Sequence, residues 1–186
     1  MKKYVLIAGV NGAGKSTLYQ VMPNKQKMLR VNTDEIVKQF GDWRNISDVL
    51  KAGKIAVGLI KKYMKDGESF NQETTLCGKS ILKNIQTAKE KGYFIEVHYV
   101  GVDSVDIAKK RVKERVLKGG HGIPEKDIEK RYVETFKNFN TILKQCDLVA
   151  CYDNTVEFRR FAIFRKGEVV RLSKVIPDWF RNNVIY

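Results

Sequence analysis

The chain has 186 residues, 43% of them hydrophobic, which is enough to bury one substantial core and makes a single domain over 1–186 the expectation. Its 35 Lys and Arg against 21 Asp and Glu leave a formal charge of +14, spread along the chain with no basic tail, which favours acidic ligands such as phosphates or nucleic acid without choosing among them. Cys77, Cys146 and Cys151 form no CxxC pair and have almost no histidine near them, so neither a disulfide framework nor a zinc site is supported and a reduced, cytoplasmic setting is expected.

The first element is the strand "KYVLIAG". The opening "MKKYVLIAGV" mimics a signal peptide, but its apolar run stops at Asn11, short of a typical secretory core, and nothing later approaches a membrane span. Directly after the strand, "GVNGAGKS" from Gly9 to Ser16 matches G-x-x-x-x-G-K-[ST] in full, with the preceding strand that the motif requires. Glycines there let backbone N–H groups turn inward around phosphate oxygens, and the helix that follows, read over 17–22, adds the positive end of its dipole. Gly9, Asn11, Gly12, Ala13, Gly14, Lys15, Ser16 and Thr17 are therefore candidate ATP-binding residues; Lys15 would reach the β and γ phosphates and Ser16 would hold Mg²⁺. "NKQK" from Asn24 lacks the aspartate of a guanine-reading NKxD and lies too early for one, which speaks against a GTPase.

A second strand, "MLRVNT", runs into Asp34, placed to accept a proton from an acceptor hydroxyl or, alternatively, to cap a helix starting at Glu35; Thr33 can cap as well. After a helix over 47–65 comes the strand "SFNQETT", which closes on Glu73, Thr74 and Thr75. Glu73 and Thr74 are candidates for binding the acceptor, or Glu73 a Mg²⁺-bound water, against the reading of a solvated strand end. A helix over 79–91 leads to "YFIEVHYVGV", with His98 in mid-strand, read as a core or interface residue. Asp103 ends that run as in some helicase and motor ATPases, but it and Ser104 read better as the N-cap of the next helix.

That helix, 104–118, carries Val105, Ala108, Val112 and Val116 at helical spacing, with Arg111 and Arg115 four apart beside that stripe and expected to point together toward the loop that follows. The loop in "RVLKGGHGIPEKDIEKRY" has three glycines around His121, read as a surface histidine on a lid that opens and closes. Pro124, Glu125 and Asp127 restart a helix over 124–145, apolar at Ile128, Tyr132, Phe136 and Phe139 and carrying Arg131. Arg115 and Arg131 flank the loop as candidates to stabilise charge on a transferred phosphate. A fifth strand, "CDLVACYDN", and a hairpin around Lys166–Gly167 in "FAIFRKGEVVRL" complete the pattern.

Strands alternating with helices give an α/β fold: a P-loop NTPase of kinase-like, three-layer type, with a five-stranded mainly parallel sheet and a C-terminal hairpin. In order, "GVNGAGKST", "NTDEI", "ETTL", "RVLKGGHGIPEKDIEKRY" and "YDNT" resemble the zeta-toxin-like P-loop kinases over about residues 1–155, leaving 156–186 as hairpin and tail. The resemblance implies an ATP- and Mg²⁺-dependent phosphotransferase acting on an alcohol. The toxins of that family phosphorylate UDP-N-acetylglucosamine; this chain is shorter and lacks their longer acceptor-binding segment, which leaves a small acidic acceptor as the expectation. It implies Lys15 and Ser16 as the P-loop pair, Asp34 as base, Glu73 with Thr74 at the acceptor, Arg115 and Arg131 at the transferring phosphate, and Asn154 in a loop beside the adenine. The residues name no antitoxin partner. Two further readings are a nucleic-acid-binding protein or polynucleotide 5′-hydroxyl kinase, which the charge suggests but no nucleic-acid motif favours, and an NTP-dependent switch with little turnover.

Overall fold

The computed structural model describes residues 1–23 and 28–186; the "NKQK" stretch at 24–27 lies outside the described residues. Seven strands form one sheet in the order β2-β3-β1-β4-β5-β6-β7. These are β1 (Lys3–Ala8), β2 (Leu29–Val31), β3 (Phe70–Thr74), β4 (Phe94–Gly101), β5 (Leu148–Asp153), β6 (Arg159–Arg165) and β7 (Glu168–Leu172). The first five are mutually parallel. The β6–β7 hairpin is not a separate appendage but extends the same sheet antiparallel from β5, so five strands become seven.

The parallel strands are continuous apolar runs because both their faces are covered. On β1, Tyr4, Leu6 and Ala8 enter the larger core, while Ile7 enters a smaller one on the opposite face. The larger layer is built from α2 (Thr33–Phe40), α3 (Ile46–Asp66), α4 (Lys79–Glu90), most of α6 (Glu125–Leu143) and α7 (Asp178–Asn183). The smaller uses Leu18 of α1 (Lys15–Val21), Ala108 and Val112 of α5 (Val105–Leu117), and Ile128 at the start of α6. In α3 the buried stripe is Ala52, Ala56, Ile60 and Met64, one residue per turn, with two alanines that let the helix lie close.

Three local details differ from the sequence reading. Asn32, rather than Thr33 or Asp34, caps α2: its side-chain oxygen accepts from the backbone N–H of Asp34 at 2.9 Å and of Glu35 at 3.4 Å, which frees the Asp34 carboxylate from capping. The tail folds inward, because "PDWF" starts α7 and buries Trp179 and Phe180, each worth about 1.5–3 kcal/mol or more in transfer from water. Asp103 serves that tail, its Oδ1 accepting from Trp179 N at 3.1 Å, while Ser104 caps α5 as expected. Strand β1 lies between β3 and β4, so the chain departs in opposite directions from its two sides and leaves a crevice beyond its C-terminal end.

Candidate active site

The loop leaving β1 fills that crevice. A Cβ on Gly9 (φ 140°) would come within 2.2 Å of Val100 O, and one on Gly12 (φ 81°) within 2.5 Å of Ala108 O, so only glycine lets the loop sink between β4 and α5. Gly14 begins α1 in the left-handed region. Lys15 follows, 8% exposed, its Nζ donating to Val10 O at 3.1 Å; Ser16 and Thr17 lie exposed on the first turn. Burial pulls the Lys15 ammonium below its ordinary value, Glu73 and Asp34 pull it back, and Arg115 and Arg131 oppose them. An ammonium kept in so dry a place gains greatly from an anion laid beside it.

Beneath this loop the structure ties a second one. Asn154 Nδ2 donates to Ala13 O at 2.8 Å, and the Asn154 N–H donates to Gly101 O at 3.0 Å. Arg111 departs from expectation: it diverges from Arg115 and donates to the carbonyls of Asn154 (2.7 Å) and Thr155 (3.3 Å), bracing the loop at Asn154 instead of facing the 118–124 segment. The Asp153 carboxylate accepts from Thr155 Oγ1 at 2.7 Å and Trp179 Nε1 at 3.1 Å, so α7 anchors the same loop.

On the other side the carboxylates separate into two environments. Glu73, 10% exposed, accepts from Ser16 Oγ (3.0 Å), Arg30 Nη2 (2.8 Å) and Asn32 Nδ2 (3.0 Å). This places it beside the hydroxyl that suits Mg²⁺. Arg30 also pairs with Glu35 and lies 3.5 Å above the Tyr19 ring. Neither Arg30 nor Asn32 stands out in the sequence; a charged residue inside the short apolar run "MLRV" is the only signal. Thr74 closes β3, its Oγ1 accepting from Leu76 N at 3.0 Å with its own O–H left to donate. The Asp34 side chain remains 40% exposed, turned to the cleft near Lys15 and 3.6 Å from His121 Nε2.

The 118–124 segment is packed rather than loose. His121 is a surface residue in the sequence reading, yet its side chain is 11% exposed and its ring lies 5.2 Å from that of Trp43. The glycines answer to contact: a Cβ on Gly122 would meet Trp43 at 2.6 Å and one on Gly120 would meet Arg115 Cγ at 2.6 Å. Arg131 Nη1 donates to Asn11 Oδ1 at 3.1 Å, which brings α6 to the P-loop. Arg115 is half-buried, with Nε and Nη2 shielded from solvent and lacking any hydrogen-bond partner among the described residues. A guanidinium in that state is costly unless an anion completes it.

Lys15, Asp34, Glu73, Thr74, Arg115 and Arg131 all line one cleft of about 880 Å³. Its outer wall, from the α2–α3 region, is apolar: Val37, Trp43, Ile46, Val49 and Leu50. The glycine cradle, the dry ammonium and the unpartnered guanidinium fit a triphosphate, and Ser16 with Glu73 fits a hard cation beside it. The Asn154 loop braces the P-loop from outside the lining of this cleft.

The family model described as Zeta toxin matches residues 1–172, which takes in the β6–β7 hairpin. A Haemophilus influenzae protein described as uncharacterized is 35% identical over 130 residues, 70% of this chain and 92% of that one. Among solved structures, the AvrRxo1-ORF1:-ORF2 complex with ATP superposes with a TM-score of 0.71 at 15% identity, over 92% of this chain and 60% of that chain. A structure of the Streptococcus pneumoniae PezAT chromosomal toxin–antitoxin system gives 0.60 at 18% identity, over 83% and 69%. The Pnkp1/Rnl/Hen1 RNA repair complex gives 0.57 at 22% identity, over 75% and 46%. The chain thus spans less than two thirds of the AvrRxo1 chain and less than half of the RNA-repair chain it superposes on.

Proposed function

The chain belongs to the zeta toxin family, and on that premise we propose that it is an ATP-dependent phosphotransferase that delivers the γ-phosphoryl group to a hydroxyl of a small acceptor held against the α2–α3 wall. The observation that carries this reading is that Lys15, Asp34 and Arg131 line one cleft with Arg115, whose guanidinium has two solvent-shielded nitrogens without a partner among the described residues.

Backbone N–H groups of the glycine loop and Lys15 Nζ hold the phosphate chain. Ser16 with Glu73 would hold Mg²⁺ or its waters, and the cation would supply neutralisation of phosphate charge there. Arg115 and Arg131 stabilise negative charge spread over the transferring group, a contribution of about 10³ or more in rate in well-studied phosphoryl transfers. Asp34 orients the acceptor hydroxyl; as its oxygen bonds to phosphorus and the bond to the leaving ADP oxygen breaks, the carboxylate takes the hydroxyl proton. The packed 118–124 segment keeps water from competing. The acceptor is a small acidic molecule, with a UDP-amino sugar one candidate to be received against the α2–α3 wall.

The test is incubation with ATP and Mg²⁺ against a panel of UDP-sugars, nucleosides and oligonucleotides, read by mass spectrometry for added phosphate. An acceptor in the panel gains one phosphate; Asp34→Asn keeps ATP binding and loses roughly 10²–10⁴ of the transfer rate. ATP binding with no phosphorylated acceptor sinks the kinase reading and leaves a nucleotide-dependent switch. The charge of +14 favours an RNA or DNA hydroxyl as the second choice of acceptor, which requires binding that weakens steeply with added salt.

A further inference from the structure

One residue joins the 118–124 segment to the proposed base. His121 Nε2 lies 3.6 Å from Asp34 Oδ1, and its ring is tilted 45° against Trp43 at a centroid distance of 5.2 Å. The next residue fixes that placement, because Gly122 has Trp43 at 2.6 Å and Val116 Cγ2 at 2.8 Å from where a Cβ would be. Asp34 of α2 and Trp43 of the α2–α3 connection therefore flank one imidazole in a slot 11% open to solvent. Packing alone would be served by an apolar ring. A ring with a nitrogen 3.6 Å from a carboxylate can do something more.

We propose that His121 is a positioning residue for the transfer step: clamped on Trp43, it holds the Asp34 carboxylate in the cleft, so that packing of the 118–124 segment and assembly of the base are one event. This rests on the reading of Asp34 as the base. The charged groups that face His121 are Asp34 and Lys38 from α2, Arg115 from α5 and Arg131 from α6. Burial first, then the three cations, lower the imidazole below its ordinary value of 6.5, and Asp34 alone raises it. At neutral pH the ring is uncharged, and Nε2, 3.6 Å from Oδ1, must close a few tenths of an ångström before its N–H can donate to the carboxylate. Once protonated at lower pH it forms an ion pair with Asp34, which makes the carboxylate a poorer proton acceptor.

The test uses His121→Asn, which retains a donor amide, beside His121→Ala. We expect kcat to fall roughly 10-fold to 10²-fold in His121→Ala, and less in His121→Asn, with KM for ATP unchanged. The acid limb of kcat, set by His121 below pH 6.5 in the parent, moves to lower pH in His121→Asn. A second readout needs no substrate, because an imidazolium against an indole quenches its fluorescence: the parent shows a step below pH 6.5, His121→Asn abolishes it, and Asp34→Asn shifts it lower. Absence of the step in the parent overturns the docking. An active chain whose His121 variants keep kcat and the pH profile overturns this proposal alone, whereas a chain inactive on every acceptor removes the kinase reading together with it.

Discussion

The P-loop and the apolar wall of the cleft are built by different means. Around the P-loop, the end proposed for the nucleotide, nearly every group is tied to another: Lys15 and Asn154 hold P-loop carbonyls, Arg111 holds the Asn154 loop, and Trp179 holds Asp153 beneath it. The acceptor end is a wall of side chains, with Ile46 at 77% and Leu50 at 63% exposure and few polar bonds. A bonded frame fixes one ligand shape before the ligand arrives; an apolar wall sets size and flatness and leaves identity to a few polar groups.

The sharpest probe of this contrast stands where the two ends meet. Arg115→Met keeps an unbranched apolar stem and removes the guanidinium with its two shielded, unpartnered nitrogens. Transfer should drop by about 10³ or more, with melting temperature unchanged or raised, since replacing an unpaired, solvent-shielded ion by an apolar group is often stabilising. Single-turnover assays and thermal melts check the two halves of that expectation. A variant that melts earlier yet still transfers phosphate would make Arg115 a structural residue and remove the junction.

Next in size is a matched pair. Asn154→Ala removes the bond to Ala13 O, a loss of about 1 kcal/mol, so ATP affinity should weaken about fivefold with acceptor KM unchanged. Trp43→Ala strips the largest side chain from the acceptor wall and the surface on which His121 rests, so acceptor KM should rise and kcat fall while ATP affinity holds. Titration calorimetry with ATP and steady-state kinetics on the phosphorylated acceptor separate the two. If either variant disturbs both ligands equally, the ends are not independent.

Sequence reading reached the two ends unequally, for the same physical reason. The P-loop is legible because phosphate binding dictates glycines at fixed spacing, and Gly9 and Gly12 do meet backbone that no Cβ could approach. The five parallel strands are legible because both their faces are buried. Asp34 could be located but not its freedom, since Asn32 takes over the capping that either neighbour could have performed. His121 was misplaced at the surface because nothing local to "GGHG" announces a tryptophan from residue 43. Arg111 and Arg115 share a helical stripe, yet one reaches backbone carbonyls and the other keeps two shielded nitrogens without a partner among the described residues, a distinction that belongs to tertiary packing alone. The tail was missed for a related reason: six residues of α7 have little propensity to display, and their place is set by two aromatic side chains sinking into the core.

The smallest expected effect tests how far the bonded frame extends. Tyr152, two residues before Asn154, lies 3.2 Å by its hydroxyl from His98 Nδ1, whose Nε2 lies 2.9 Å from Glu96; with Nε2 protonated, Tyr152 donates to His98 and His98 donates to Glu96. Lys3 completes the chain at 3.1 Å. The His98 hydrogen bond, with Lys3 behind it, holds the Glu96 carboxyl down to about 2 from an ordinary 4.5 against the opposing effect of burial. A depressed carboxyl stabilises the fold above its unfolded value, and that contribution fades as pH falls from 4.5 toward 2. Glu96→Gln should therefore melt earlier at pH 7, by roughly 2–4 °C for a loss of about 1 kcal/mol, with the two melting curves converging as the pH drops. Because the chain ends beside Asn154, the same variant should weaken ATP binding slightly and leave the acceptor untouched. An acceptor-side effect would mean that strain in β4 and β5 crosses the P-loop, and the bonded frame would then have to be drawn around the whole cleft.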